Sequence, residues 1–185
     1  NLDNASWLRV GGTALINNGT IAVSDSVGGS GSGLQATGAN SLLGSGEVVL
    51  NANGNLDTAE ITWTNNSSTQ TFVNGPAHTI RGTGNIYTIL TNQGSVLADR
   101  TGATLQLLHN NKINRGLMKA SGGGTLRISG IAVTQEGVGQ IVADGGALQV
   151  AGSSIIDGPI NVAPSGSATF TGTSVLSDVT INGNS

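Results

Sequence analysis

The sequence predicts an all-β protein: a right-handed parallel β-helix, or β-solenoid, with three short strands in each coil of about 20–23 residues, forming one unit over residues 1–185. Three observations predict it. The first is composition. Thirty Gly and a polar fraction made of Asn, Ser and Thr disfavour helices, whereas Val, Ile and Thr suit short strands joined by tight turns. With 37% hydrophobic residues and a net charge of −3, the chain lacks the composition of a disordered segment. The second is alternation. In Thr104-Leu105-Gln106-Leu107, Thr125-Leu126-Arg127-Ile128 and Leu148-Gln149-Val150, apolar and polar residues take turns, which puts one face inside and one in water. The third is recurrence. Ala98, Ala120, Ala143 and Ala163, which close one run, lie 22, 23 and 20 residues apart, and Leu107, Ile128, Val150 and Phe170, which close the next, lie 21, 22 and 20 apart. A further run precedes each pair, centred on Ile89, Ile113, Val133 and Ile155. Three strands per repeat make the rungs of a solenoid, each about 4.8 Å above the last. A single rung cannot bury its own inner face, so stacking builds the core. The handedness follows from the preference of parallel crossovers for right-handed connections.

Taken in order, "TALINNGTIAV" at 13–23 predicts two strands around an Asn-Asn-Gly turn. Residues 24–45, rich in Gly and Ser, read as a long loop or irregular coil protruding from the solenoid. "GEVVL" at 46–50, "AEITWT" at 59–64, "QTFV" at 70–73 and "HTIRGTGNI" at 78–86 are strands. From there three-strand units follow one another up to "TSVLSDVTING" near the end. Length divided by repeat size predicts about eight coils.

The strings "HTIRGTGNI", "LTNQGSVLADRTGATLQL" and "GLMKASGGGTLRISG" resemble the degenerate repeats of large bacterial cell-surface proteins, the β-strand-repeat, autotransporter-passenger and filamentous-haemagglutinin-like proteins. The similarity covers roughly residues 46–172 and is a style of repeat. It implies an exported protein with a right-handed parallel β-helix and a role in adhesion, surface coating or extracellular matrix, including biofilm matrix, and it supplies no catalytic residues.

Composition narrows the chemistry. Seven scattered Lys and Arg and an isoelectric point of about 5.1 argue against a nucleic-acid surface. No apolar run is long enough for a transmembrane helix, so no membrane insertion is expected. Without Cys there is no disulfide scaffold or thiolate metal site. The chain starts at Asn1 and reads as a processed chain or a segment of a longer one.

Parallel β-helices also carry carbohydrate-cleaving enzymes, which need two carboxylates on one groove. Asp99 and Asp144 fall at the same place in the repeat, two rungs and about 10 Å apart, with Ser121 between them; turn chemistry at a corner is the better explanation of both. Arg100, Arg115 and Arg127 lie in consecutive coils at different corners and read as a solvated surface. His78 and His109 have no metal-ligand spacing. "GSGSG" at 29–33 lacks the helix that a nucleophile elbow or phosphate loop requires. Thr-x-Thr pairs such as Thr62/Thr64 and Thr169/Thr171 do not recur coil by coil as an ice-binding ladder would. Trp7 and Trp63 read as core or rim packing, since so few aromatics cannot make a carbohydrate strip. Sequons at Asn4, Asn18, Asn65 and Asn66 matter only in a glycosylating host.

The expectation is therefore a non-catalytic extracellular or cell-surface β-solenoid that is structural or adhesive. Its first and last rungs would expose strand edges able to add further strands head to tail, making a fibre. Surface glycans or host and matrix components are its expected contacts; no catalytic, metal or cofactor residues are assigned. The alternative is a polysaccharide-active β-helix enzyme or carbohydrate-binding module.

Overall fold

The structure, a computed structural model, describes residues 1–24, 31–64 and 69–183. It is a parallel β-helix. The first coil comprises β1 (Leu2–Asp3), β2 (Trp7–Val10) and β3 (Ala14–Ile16); the second β4 (Thr20–Ser24), β5 (Ser32–Ala36) and β6 (Ala39–Leu43); the third β7 (Glu47–Asn51), β8 (Ala59–Trp63) and β9 (Thr71–Asn74). In the fourth, two faces share one long strand, β10 (Thr79–Ile86), followed by β11 (Ile89–Asn92). The fifth holds β12 (Ser95–Ala98), β13 (Thr104–Leu108) and β14 (Lys112–Asn114). The sixth holds β15 (Leu117–Ala120), β16 (Thr125–Ser129) and β17 (Ala132–Gln135). The seventh holds β18 (Gln140–Ala143), β19 (Ala147–Ala151) and β20 (Ser154–Ile156). The eighth holds β21 (Pro159–Val162), β22 (Ser167–Thr171) and β23 (Val175–Ser177), and β24 (Thr180–Gly183) adds a ninth rung to one face.

Every strand pairs in parallel with its counterparts one coil away. Face 1 runs from β1 through β4, β7, the start of β10, β12, β15, β18 and β21 to β24. Face 2 starts at β2 and ends at β22; face 3 starts at β3 and ends at β23. Alternation along each strand builds inward columns. On face 1, Val48, Ile80, Val96, Met118, Ile141 and Ile160 lie one above another; on face 2, Leu34, Ile61, Ile86, Leu107, Ile128 and Val150 do so. All of these are buried. At roughly 1.5–3 kcal/mol for each fully buried aliphatic side chain, these columns are the main stabilising term.

The strand β10 is where the coil is tightest. Arg81 pairs with Leu97, a step of 16 residues, against 27 from Val23 to Leu50 and 32 from Leu50 to Gly82. The chain turns from face 1 to face 2 within β10 at Gly82 and Gly84, with φ of 105° and 148°. A β-carbon at Gly82 would lie 2.1 Å from the Leu50 carbonyl oxygen, and one at Gly84 2.2 Å from that of Ala59. Only glycine fits both the torsion and the approach.

Three expectations are corrected. Residues 24–45 are not one protruding loop: β5 and β6 pair with strands on both sides, and Leu34, Ala36 and Leu42 sit in the core. Their Gly and Ser content lowers strand propensity, but stacking on β2 and β8 overrides it; residues 25–30 lie outside the described ones. The fourth small residue of the first marker is shifted by one: Ala143 stacks on Val162, not on Ala163. The face-3 column also differs. It runs Phe72, Leu90, Lys112, Val133, Ile155, so Ile89 and Ile113 face outward and a lysine stands in the core.

Candidate functional site

The structure places Asp99 and Asp144 at one corner, in line with Ser121, as the repeat predicted: Ser121 N–H donates to Ala98 O, and Asp144 N–H to Ala120 O. The two carboxylates do not converge on a substrate groove. Asp99 faces Arg81 Nη1 at 3.5 Å, and Asp144 accepts from Lys119 Nζ at 2.8 Å and from Ser165. Lys119 holds Asp144 below the usual carboxylate range. Arg81 also bonds Glu47 through both Nε and Nη2, at 2.6 and 3.2 Å, and lowers that carboxyl in turn. Arg100 donates to Asn51 Oδ1, and Arg115 pairs with Glu136 at 2.7 Å. Among the described residues no three His, Asp or Glu come together as a metal site. Of the sequons, Asn65 and Asn66 lie outside the described residues.

His78 is buried in a polar column at the end of face 3. Its Nδ1 lies 2.8 Å from Asn74 Oδ1, and its Nε2 3.2 Å from Asn17 Nδ2. An amide oxygen can only accept and an amide nitrogen only donate, so Nδ1 carries the proton. Burial holds the ring pKa below its usual value. The column continues by amide-to-amide hydrogen bonds: Asn74 Nδ2 to Asn92 Oδ1 at 2.8 Å, and Asn92 Nδ2 to Asn114 Oδ1 at 2.9 Å. Gln135 extends it toward Asp157 O. This ladder replaces the aliphatic column begun by Leu15 and Leu42. Nothing in the strand pattern distinguishes these Asn from turn residues; their recurrence in successive coils was the available signal.

Another assembly lies on the outer surface of face 2. Trp7 and Trp63, read from sequence as packing residues, are joined there by Tyr87 and His109 around a groove of about 400 Å³ whose lining also includes Gln35, Glu60 and Thr62. Trp7 is 36% exposed. It reaches across Gly33 of the next coil, where a β-carbon would meet its ring at 3.1 Å and the Glu60 carbonyl oxygen at 2.1 Å. Trp63, Tyr87 and His109 pack edge to face, with centroids 4.9–5.9 Å apart. His109 reaches this place with φ of 65°, a left-handed backbone that few non-glycine residues adopt. Asn85 Nδ2 donates to Asp57 Oδ1 at 2.6 Å and to Tyr87 Oη at 2.9 Å, and the Tyr87 hydroxyl donates to Asp57 Oδ1. Burial and the hydrogen bond to Asp57 push the Tyr87 phenol up. Burial, reinforced by the charge of Asp57, pushes the Glu60 carboxyl up to about 7. The sequence hid this cluster because its members lie in four different coils.

The last described coil is apolar. Phe170, Val175, Leu176 and Ile181 are 37–50% exposed, whereas Val150, Ile155 and Ile160, which stack on Phe170, Leu176 and Ile181, are fully buried.

Compared with protein-family models, curated proteins and solved structures, the chain matches none of them. The class of protein that the fold defines is the parallel β-helix.

Proposed function

We propose that this chain is a non-catalytic, structural and adhesive β-solenoid of the bacterial cell surface or extracellular matrix, and that copies of it add to one another end to end. The observation that carries this reading is the apolar character of the last described coil, which continues the stacked columns in register. Its inward side chains are aliphatic or aromatic, a parallel strand can add to such a rung, and Asp178 is the one charged residue between 164 and 183. The style of repeat, which resembles exported surface proteins, supports the location. The engagement of Asp99 and Asp144 in separate ion pairs supports the non-catalytic reading.

End-to-end stacking carries a register requirement. Face 1 has nine strands among the described residues, and faces 2 and 3 have eight each. If β2 and β3 of one copy stack on β22 and β23 of another, β1 falls on the rung that β24 already occupies. The strand of two residues, held by Leu2 and Asp3 on β4, yields to the strand of four. A variant lacking residues 1–5 therefore assembles at lower concentration than the full chain. Electron microscopy tests it: fibres, longer or earlier in the shortened variant, are expected. Both chains remaining at all concentrations as single rods about 4 nm long, eight rungs of about 4.8 Å, would overturn the assembly.

A further inference from the structure

We infer that the groove on the outer surface of face 2 is a binding site for neutral hexopyranose units of a glycan chain. Three of the chain's five aromatic residues, Trp7, Trp63 and Tyr87, meet there although the sequence separates them by up to 80 positions. A core explanation fails for Trp7, which stands outside the solenoid. The groove's volume, about 400 Å³, falls within the range of small-ligand sites.

The wall chemistry selects the ligand. Sugar rings carry apolar C–H faces that lie against aromatic rings, and hydroxyls that need donors and acceptors at the edges. By coil, Trp7 stands on the first, Gln35 on the second, Glu60, Thr62 and Trp63 on the third, and Tyr87 and His109 on the two beyond, so polar groups lie beside the rings. Glu60 is held partly protonated near neutral pH, so it can donate to a hydroxyl as well as accept from one. The Asp57 carboxyl alongside, with no Lys or Arg in the lining and the neighbouring Arg9 donating to Gln35 Oε1, disfavours an acidic sugar. A quaternary ammonium ligand needs rings set apart around it; here three rings touch one another edge to face and form a wall instead. The left-handed backbone at His109 is the local cost of bringing the last ring to that wall.

Trp7 and Trp63 are the only tryptophans, so intrinsic fluorescence reads the groove directly. The purified full chain is titrated at pH 6 with cellohexaose, mannohexaose and chitohexaose, and with hexagalacturonate and choline as contrasts. Saturable change in emission is expected with at least one neutral hexasaccharide and with neither contrast. Trp7→Ala should weaken that binding about tenfold or more, as loss of an aromatic anchor does, and Trp7→Phe should restore part of it. Trp7 lies on the rim, so its variants leave the far-ultraviolet β spectrum unchanged. The inference is overturned if no neutral hexasaccharide binds, if Trp7→Ala binds as tightly as the parent chain, or if choline or hexagalacturonate binds in their place. The site is lateral, so the test is independent of end-to-end assembly.

Discussion

Single residues depart from the repeat where they are most informative. Lys112 stands in the face-3 core column between Leu90 and Val133, 1% exposed. Its stem fills an aliphatic place and its Nζ reaches the corner, donating to Leu108 O at 3.1 Å and Asn110 O at 2.5 Å. Burial lowers its pKa to about 7. Between there and the unfolded value near 10.4 the unfolded chain binds more protons, so the amine's cost to stability shrinks as pH rises. Lys112→Met should therefore stabilise the fold at pH 7, by about 1–3 kcal/mol in urea denaturation, with a smaller gain at pH 10. Glu60 titrates in the other sense. Its folded pKa is raised, so its contribution is complete below about pH 4.5 and lost as pH rises through about 7. The difference in Tm between Glu60→Gln and the parent should grow from pH 4.5 to pH 7.5; a constant difference would show that the carboxyl is not held in its neutral form.

At the scale of an element, the amide ladder of face 3 converts a corner into a continuous hydrogen-bonded column. Asn92 is its centre, accepting from Asn74 and donating to Asn114 Oδ1 and Leu117 O. Each of these groups is shielded from water by the coils on either side, so removing one partner leaves several unpaired. Asn92→Ala should cost about 2–4 kcal/mol in urea denaturation, more than truncation of an outward side chain such as Gln106→Ala in β13, which should be nearly neutral. The long strand β10 is the second element with special demands. Gly82→Ala should destabilise by a few kcal/mol, about 2 or more, because the added carbon meets a backbone carbonyl that cannot move without breaking the β7–β10 ladder.

For the whole molecule, the governing quantity is the step between coils. Each inner rung is covered by its neighbours: Val150 is buried beneath Phe170, while Phe170, in the last described coil, is 37% exposed. A one-dimensional stack of this kind gains stability from every interface added, so end-to-end assembly should raise the unfolding midpoint with protein concentration. A midpoint independent of concentration, measured alongside the microscopy, would count against end-to-end growth.

The fold was legible because period-two alternation and a repeat of about 21 residues are both local properties of the chain. From β12 onward the coils are regular, and Leu107, Ile128, Val150 and Phe170 stack as their spacing indicates. The first half was less legible because its coils are longer: the turn at Leu56–Thr58 and its neighbours between β7 and β8 break the period without breaking the stack. The sequence by itself determined the strand-and-turn class, the three-strand coil and most inward columns, since each depends on residues a few positions apart. Only the tertiary structure decided which member of "NKIN" enters the core, because an outward Ile113 and an inward Lys112 satisfy alternation equally well and the register of the neighbouring coils chooses between them. It alone also decided that Trp7, Glu60, Trp63, Tyr87 and His109 share a groove, for that proximity arises across stacked coils, where separation along the chain carries no information about distance.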